Sequence, residues 1–326
     1  MKFGRVQNIW VWRLIGPAVV VAAIWWAGPA KVWSVLSKAD LRFVAAAISL
    51  SVPLAIIKGL RWKILLQSYG IELSYRDSTS MYAIGMVLSA VTPGRIGDLV
   101  KIVLLINRGC GIGKAIASNV FDRLIDVGFV LLAGYSGMWY FSRNFASQLS
   151  IANIIFVAIL VLLVFFVLKL HLIKRLAIKL IPAQYRPIAR ESWNEIAGGL
   201  LKNPSGRVFW LVLLTILFWP VQFFAIYLCG LALGLDVSFI YIVACAAVAM
   251  LLSLLPITVA GIGTRDATFI LLLGQIGITR QQSLALSSLV LSIFLVNCVV
   301  FYIISVVLGG QPRNRLPSDA CVGTKK

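Results

Sequence analysis

Eight ionisable residues stand inside strongly apolar sequence, and their spacing suggests what they do. "AVTPGRIGDLVKI" at 90–102 carries Arg95, Asp98 and Lys101, each three residues from the next. "FDRLID" at 121–126 adds Asp122, Arg123 and Asp126, and "AGIGTRD" at 260–266 adds Arg265 and Asp266. A charge at membrane depth costs about 2.5 to 3.5 kcal/mol on insertion scales, so each needs a partner or a purpose. Arg95 with Asp98, Asp98 with Lys101 and Arg123 with Asp126 are i,i+3 pairs, so the spacing predicts pairing along one helical face. With four charges of each sign, the set is expected to balance.

The chemistry expected is anion binding. Gly94 and Gly97 remove side chains around Arg95, so a ligand can approach the backbone. Pro93–Gly94 is read as opening a helix whose N-terminal N–H groups face the membrane interior. Such an end beside an arginine suits a phosphate. Gly261, Gly263, Thr264, Arg265 and Asp266 repeat the arrangement, with the Thr264 hydroxyl placed to hydrogen-bond. The alternative is that the charges only lock helices together.

The rest of the composition defines the frame. The chain is 60% hydrophobic and 13% charged, with a mean hydropathy of +0.96. A soluble domain needs about a quarter charged residues, so this is an all-α polytopic membrane protein. A single histidine, His171, excludes multi-histidine metal sites and His-based triads. Five cysteines without paired spacing read as apolar filler. No metal or other cofactor is expected. Without a complete catalytic constellation or an ATPase motif, the chain does not read as an enzyme.

Apolar stretches of membrane-spanning length fall near 14–30, 43–62, 118–141, 150–168, 207–231 and 283–308. The first resembles a signal peptide, but Trp25, Trp26 and Pro29 stand where small residues would permit cleavage, so it is read as a retained span. Regions 78–107 and 239–277 are interrupted by Gly, Pro and charge, and are read as hairpins, re-entrant or fully spanning. The fold expected is about six full crossings plus two such helix pairs.

Positive-inside bias puts both termini in the cytoplasm of a cell-membrane protein. Arg61, Lys63 and Arg76, Arg108 and Lys114, the basic loop 169–206 and the tail 311–326 then lie inside. Lys31, Lys38, Arg42, Arg143 and Arg280 are left outside. The net charge of +19 follows this topology, and nucleic-acid binding is not expected. "LHLIKRLAIKLI" at 170–181 separates apolar from basic residues and suits a helix lying on an anionic leaflet.

The hairpins also resemble each other. Gly70 aligns with Gly234, Asp98 with Asp266, and "GIGK" at 111 with "GITR" at 277. One domain over 1–310 is expected to contain repeat 1 at about 43–141 and repeat 2 at about 207–308. An odd number of crossings between them makes the repeats inverted, as in many secondary transporters.

"TPGRIGD", "FDRLID" and "LPITVAGIGTRD" together resemble the motif set of the lysylphosphatidylglycerol synthase transmembrane-region family, often called flippase-like proteins. The likeness covers roughly residues 10 to 310. It implies site roles for Pro93, Gly94, Arg95, Gly97, Asp98, Asp122, Arg123, Asp126, Pro256, Gly261, Gly263, Arg265 and Asp266. Asp98 and Asp266 stand where the family more often has glutamate, and Ala260 where it often has glycine. Members fused to a soluble aminoacyl-transferase move the lipid that domain modifies. Here the last apolar stretch is followed by "QPRNRLPSDACVGTKK", so aminoacylation by this chain alone is not expected.

The function expected is transfer of an anionic phospholipid or polyprenyl-phosphate-linked lipid between leaflets. Alternatives are a membrane-embedded transferase acting on a lipid-linked phosphate, or a non-transporting partner of a lipid-modifying enzyme. A homo-oligomer is compatible with each.

Overall fold

The computed structural model describes residues 37–144, 186–187, 205–253 and 261–307. The predicted spans at 14–30 and 150–168, most of the basic loop and the tail lie outside them. All the regular structure among the described residues is helical.

Helices α1 (Leu41–Ser49) and α2 (Ser51–Ser68) form one 28-residue apolar rod. The break at Leu50 has a local cause. Pro53 in the first turn of α2 has no N–H to give to the preceding turn, so the ladder is interrupted there. Asp40 starts the rod by accepting the N–H of Arg42 at 2.9 Å.

The first hairpin follows. Helix α3 (Tyr75–Val91) descends to a 3-10 segment at Pro93–Leu99, and α4 (Val100–Asn107) returns. Helix α5 (Ile112–Asn144) is the 33-residue rod after it. In the second half, α6 (Ser205–Ala232) leads to a hairpin of α7 (Phe239–Leu252) and α8 (Thr264–Gly274), and α9 (Arg280–Val307) follows. Three helices are long and apolar enough to cross a membrane by length and composition: 41–68, 206–232 and 280–304. The hairpin arms are shorter. At 1.5 Å per residue the 17 residues of α3 extend about 25 Å, and the 11 of α8 about 16 Å.

The turns framing the two hairpins have matching geometry. Gly70 and Gly234 both take φ of 67°, a left-handed value that a Cβ would penalise. The next N–H groups, of Ile71 and Leu235, reach back to Leu66 O and Gly230 O, closing the helix ends in the same way. Four residues beyond each glycine, Ser74 and Ser238 cap the incoming helix. At the far end Gly109 (φ 89°) and Gly277 (φ 81°) match. That corrects the alignment of "GIGK" with "GITR": Gly277 corresponds to Gly109, at the same offset that relates Asp98 to Asp266.

Packing interlocks the halves. The first arm of each hairpin lies against the last rod of the opposite half, α3 against α9 and α7 against α5. Gly134 and Gly137 of α5 permit the second of these contacts. A Cβ on either would come within 2.8 Å of Leu251 or of the Ala244 carbonyl. Each hairpin also has its own apolar core. Trp62, Leu65, Leu66, Ile71 and Leu105 pack in the first, and Phe141, Ile242, Phe269 and Leu273 in the second. Large apolar side chains face outward along α6, including Phe209, Trp210, Ile216 and Phe224, as helices solvated by lipid require.

Candidate functional site

Four elements of the first half converge on one buried ion-pair network. Its cations are Lys58 and Arg61 of α2, Lys101 of α4 and Arg123 of α5; its anions are Asp98 of the 3-10 segment and Asp122 and Asp126 of α5. Arg61 occupies the centre with no exposed surface. One guanidinium nitrogen meets Asp122 Oδ1 and the other Asp126 Oδ1, both at 2.6 Å. Lys58 Nζ donates to both oxygens of Asp126, at 2.8 and 2.9 Å. Lys101 Nζ bridges Asp98 Oδ2 and Asp122 Oδ2, each at 2.9 Å. Arg123 closes the chain on Asp98 Oδ2 at 2.7 Å.

Helical periodicity explains the convergence. Lys58 and Arg61 are three residues apart and Asp122 and Asp126 four apart, so each pair projects from one face of its rod. Gly59 lets the rod approach α3, because a Cβ there would stand 2.2 Å from Thr79 Oγ1. Gly85 of α3 leaves room for the charges themselves. A Cβ there would lie 3.0 Å from both Asp98 Oδ1 and Lys101 Cγ. Aromatic faces complete the cage, with Lys101 Nζ 4.3 Å from the Trp62 ring centre and Lys58 Nζ 4.0 Å from that of Phe218. Thr215 Oγ1 accepts a further bond from Arg61 at 3.3 Å.

Several expectations change. Positive-inside bias assigns Arg61 to a cytoplasmic cluster and gives Lys58 no role, yet both are buried in the network. Arg123 pairs with Asp98 and not with Asp126 one turn away, which is held from α2. Asp98 and Lys101 do form the i,i+3 pair expected of them. The Arg95 side chain lies outside the described residues, as does segment 254–260 with Pro256 and Ala260. The described network holds four cations against three carboxylates, with Lys58 and Arg61 added to the residues expected.

The tips are less open than predicted. Gly97 N–H donates to Thr92 Oγ1 at 2.7 Å, so one of the backbone donors expected to face a ligand is already engaged. Gly97 is needed for another reason. A Cβ on it would fall 2.3 Å from the Leu88 carbonyl, which the 3-10 segment abuts. In the second tip Asp266 accepts the Gly263 N–H at 2.9 Å and caps its own helix. Gly261 and Gly263 hold φ of 74° and 90°, and the Thr264 hydroxyl turns back to Gly261 O at 3.3 Å. Arg265 Nε donates to Ser287 Oγ at 2.8 Å, and that hydroxyl donates in turn to Asp266 Oδ1. Among the described residues Arg265 and Asp266 therefore make a separate cluster with α9 and do not join the first network.

Exposure marks one place where the network can meet a ligand. Lys101, Arg61 and Asp122 are sealed, and Lys58 and Asp126 nearly so, whereas 27% of the Arg123 side chain is accessible.

The long apolar rods, paired interrupted helices and outward apolar side chains define an integral membrane protein. The chain belongs to the family described as Lysylphosphatidylglycerol synthase TM region, whose profile matches residues 13–307. It is similar to a UPF0104 membrane protein of Pyrococcus horikoshii, 23% identical over 91% of this chain and 94% of the relative. Similar proteins named UPF0104 membrane protein occur in Methanothermobacter thermautotrophicus, at 24% identity over 83% of this chain and 87% of the relative. Another is in Methanocaldococcus jannaschii, at 22% over 94% of each. No solved structure matches the chain at a significant level.

Proposed function

We propose that this protein moves an anionic membrane lipid, a phospholipid or a polyprenyl-phosphate-linked lipid, between the leaflets of the cell membrane. The observation that carries this reading is the buried network, which among the described residues has one cation in excess of its carboxylates and an accessible end at Arg123. Charges held only for stability are better served by neutral pairing, because an uncompensated buried charge is costly. An excess positive charge with a partly open arginine fits a phosphate that arrives and leaves, while acyl chains remain among the outward apolar side chains.

The architecture supports movement around that site. Two hairpins with matching caps, each packed on the far rod of the other half, are what an inverted repeat produces. We read the short arms as re-entrant and the whole chain as six crossings with both termini cytoplasmic. The sealed part of the network, Arg61 with Asp122 and Lys101, pins α2, α4 and α5 together as a fixed frame.

The test is transport by the purified chain in vesicles. Headgroup-labelled phosphatidylglycerol, phosphatidylcholine and a polyprenyl phosphate are compared for exchange between leaflets. The proposal expects faster exchange of at least one anionic lipid over protein-free vesicles and no acceleration of phosphatidylcholine. Equal acceleration of all three, or of none, contradicts it.

A further inference from the structure

The three carboxylates of the network are not equally held. Asp126 uses both oxygens, receiving Lys58 and Arg61 on Oδ1 and Lys58 again on Oδ2. Asp122 also uses both, taking Arg61 on Oδ1 and Lys101 on Oδ2. Asp98 differs. Its Oδ2 receives Lys101 and Arg123, but its Oδ1 is buried without a hydrogen-bond partner among the described residues. Asp98 is 2% exposed, so bulk solvent does not reach that oxygen. A buried acceptor left unmade costs about 1 to 3 kcal/mol, and more on a charged group.

Position compounds the difference. Asp122 and Asp126 stand on a 33-residue rod, whereas Asp98 stands on the seven-residue 3-10 segment at the hairpin tip. Hydrogen-bond geometry in such segments is poorer than in an α-helix. Arg123, the partner of Asp98, is the accessible cation of the network. Moving Asp98 away from Arg123 gives up its pair with Lys101 as well, but leaves Lys101 with Asp122 and leaves the pairs of Lys58 and Arg61 intact.

From this geometry we infer that Asp98 is an internal stand-in for the ligand's anion: a phosphate oxygen of a net-anionic headgroup or of free phosphate takes its place on Arg123 and releases the hairpin tip from α5. This deepens the transport reading above and rests on it for the identity of the ligand as a lipid. It assigns Arg123 as the exchange cation and Asp98 as its competitor. A guanidinium suits both states, since it pairs a carboxylate and a phosphate with the same planar donor set. The competitor lowers apparent affinity by the fraction of time it occupies the site, which lets the headgroup leave again.

The test is equilibrium binding by the full chain in detergent, read by native mass spectrometry, with phosphatidylglycerol, phosphatidylcholine and inorganic phosphate as separate probes. Asp98→Asn removes the competitor's charge and is expected to tighten phosphatidylglycerol binding about tenfold or more, with phosphatidylcholine unchanged. Arg123→Gln is expected to lose that binding while retaining the wild-type melting temperature to within a few degrees, because Asp98 keeps Lys101. Tightening for the lipid alone places the anion on a headgroup, and tightening for inorganic phosphate alone places it on a free ion; either supports the exchange. Unchanged or weaker binding of both in a folded Asp98→Asn overturns it. If that variant does not fold, Arg123→Gln decides, and anion binding retained at wild-type strength overturns the assignment. Transport failing in vesicles while this binding series holds would remove the flippase reading and leave the site standing.

Discussion

The two halves share a shape and differ in charge. Under the repeat proposed here, α2 corresponds to α6, the first hairpin to the second, and α5 to α9. Positions that hold the network in the first half are apolar or neutral in the second. Lys58 and Arg61 correspond to Gln222 and Ala225, Lys101 to Phe269, and Asp122 and Asp126 to Val290 and Phe294. Phe269 is buried where Lys101 is buried, but among leucines and alanines instead of carboxylates. Of the tip charges, Asp98 joins a seven-membered ionic network, whereas Asp266 caps its helix and accepts a serine hydroxyl. Caps and packing of the same kind therefore occur in both halves, and the described ionic network belongs to the first. On the function proposed here, the first half carries the anion chemistry and the second supplies a counterpart of similar shape.

That contrast is broken most severely at Asp122. Asp122→Leu takes one carboxylate from both Arg61 and Lys101, leaving them with Asp126 and Asp98 alone, and breaking a buried pair costs about 3 to 5 kcal/mol. The expected outcome is little folded protein, read as monodisperse yield and melting temperature in detergent. Val290→Leu at the corresponding place is expected to cost less than about 1.5 kcal/mol as a nearly volume-conserving apolar change. Similar losses from both would mean that the network is not the special element of the first half.

Next in size is the tip itself. Gly97→Ala drives a Cβ into the Leu88 carbonyl, and overpacking of this kind costs about 1 to 3 kcal/mol. It is expected to lower the melting temperature and to increase maleimide labelling of a cysteine placed at Ile96, which is already exposed. No change in either would place the close approach of tip and α3 in error.

Coupling is the third comparison. Lys58→Met and Asp126→Asn, separately and together, should show an interaction energy of about 0.5 to 3 kcal/mol, because each is the other's charge partner. Additive effects would show that Asp126 is held by Arg61 alone. The smallest effect belongs to the second half. Ser287→Ala removes a hydroxyl bridging Arg265 and Asp266 and is expected to cost about 1 kcal/mol in thermal unfolding.

Much of this is legible in the sequence, and the reasons are particular. The hairpins announce themselves because Pro93, Gly94, Gly97, Gly261 and Gly263 interrupt apolar runs that would otherwise continue as helix. Asp98, Lys101, Asp122, Arg123 and Asp126 stand out because an isolated charge in apolar sequence has few explanations. Lys58 and Arg61 are hidden for the opposite reason: they close an apolar stretch beside Lys63, where positive-inside bias accounts for basic residues without further cause. Their spacing does carry a signal. Two cations three residues apart on one rod match two acids four apart on another, and such matched faces are partners. Which acid each cation takes is not legible, since Arg123 has Asp126 within one turn but meets Asp98 across a tertiary contact.

The central claim is that the accessible charge of the first half, and not the duplicated scaffold, recognises the lipid. Headgroup-labelled phosphatidylglycerol exchange in vesicles containing wild type, Arg123→Gln or Ser287→Ala tests it most directly. The account predicts that Arg123→Gln falls to the protein-free rate while Ser287→Ala keeps most of the wild-type rate. Exchange by folded Arg123→Gln at the wild-type rate would contradict it.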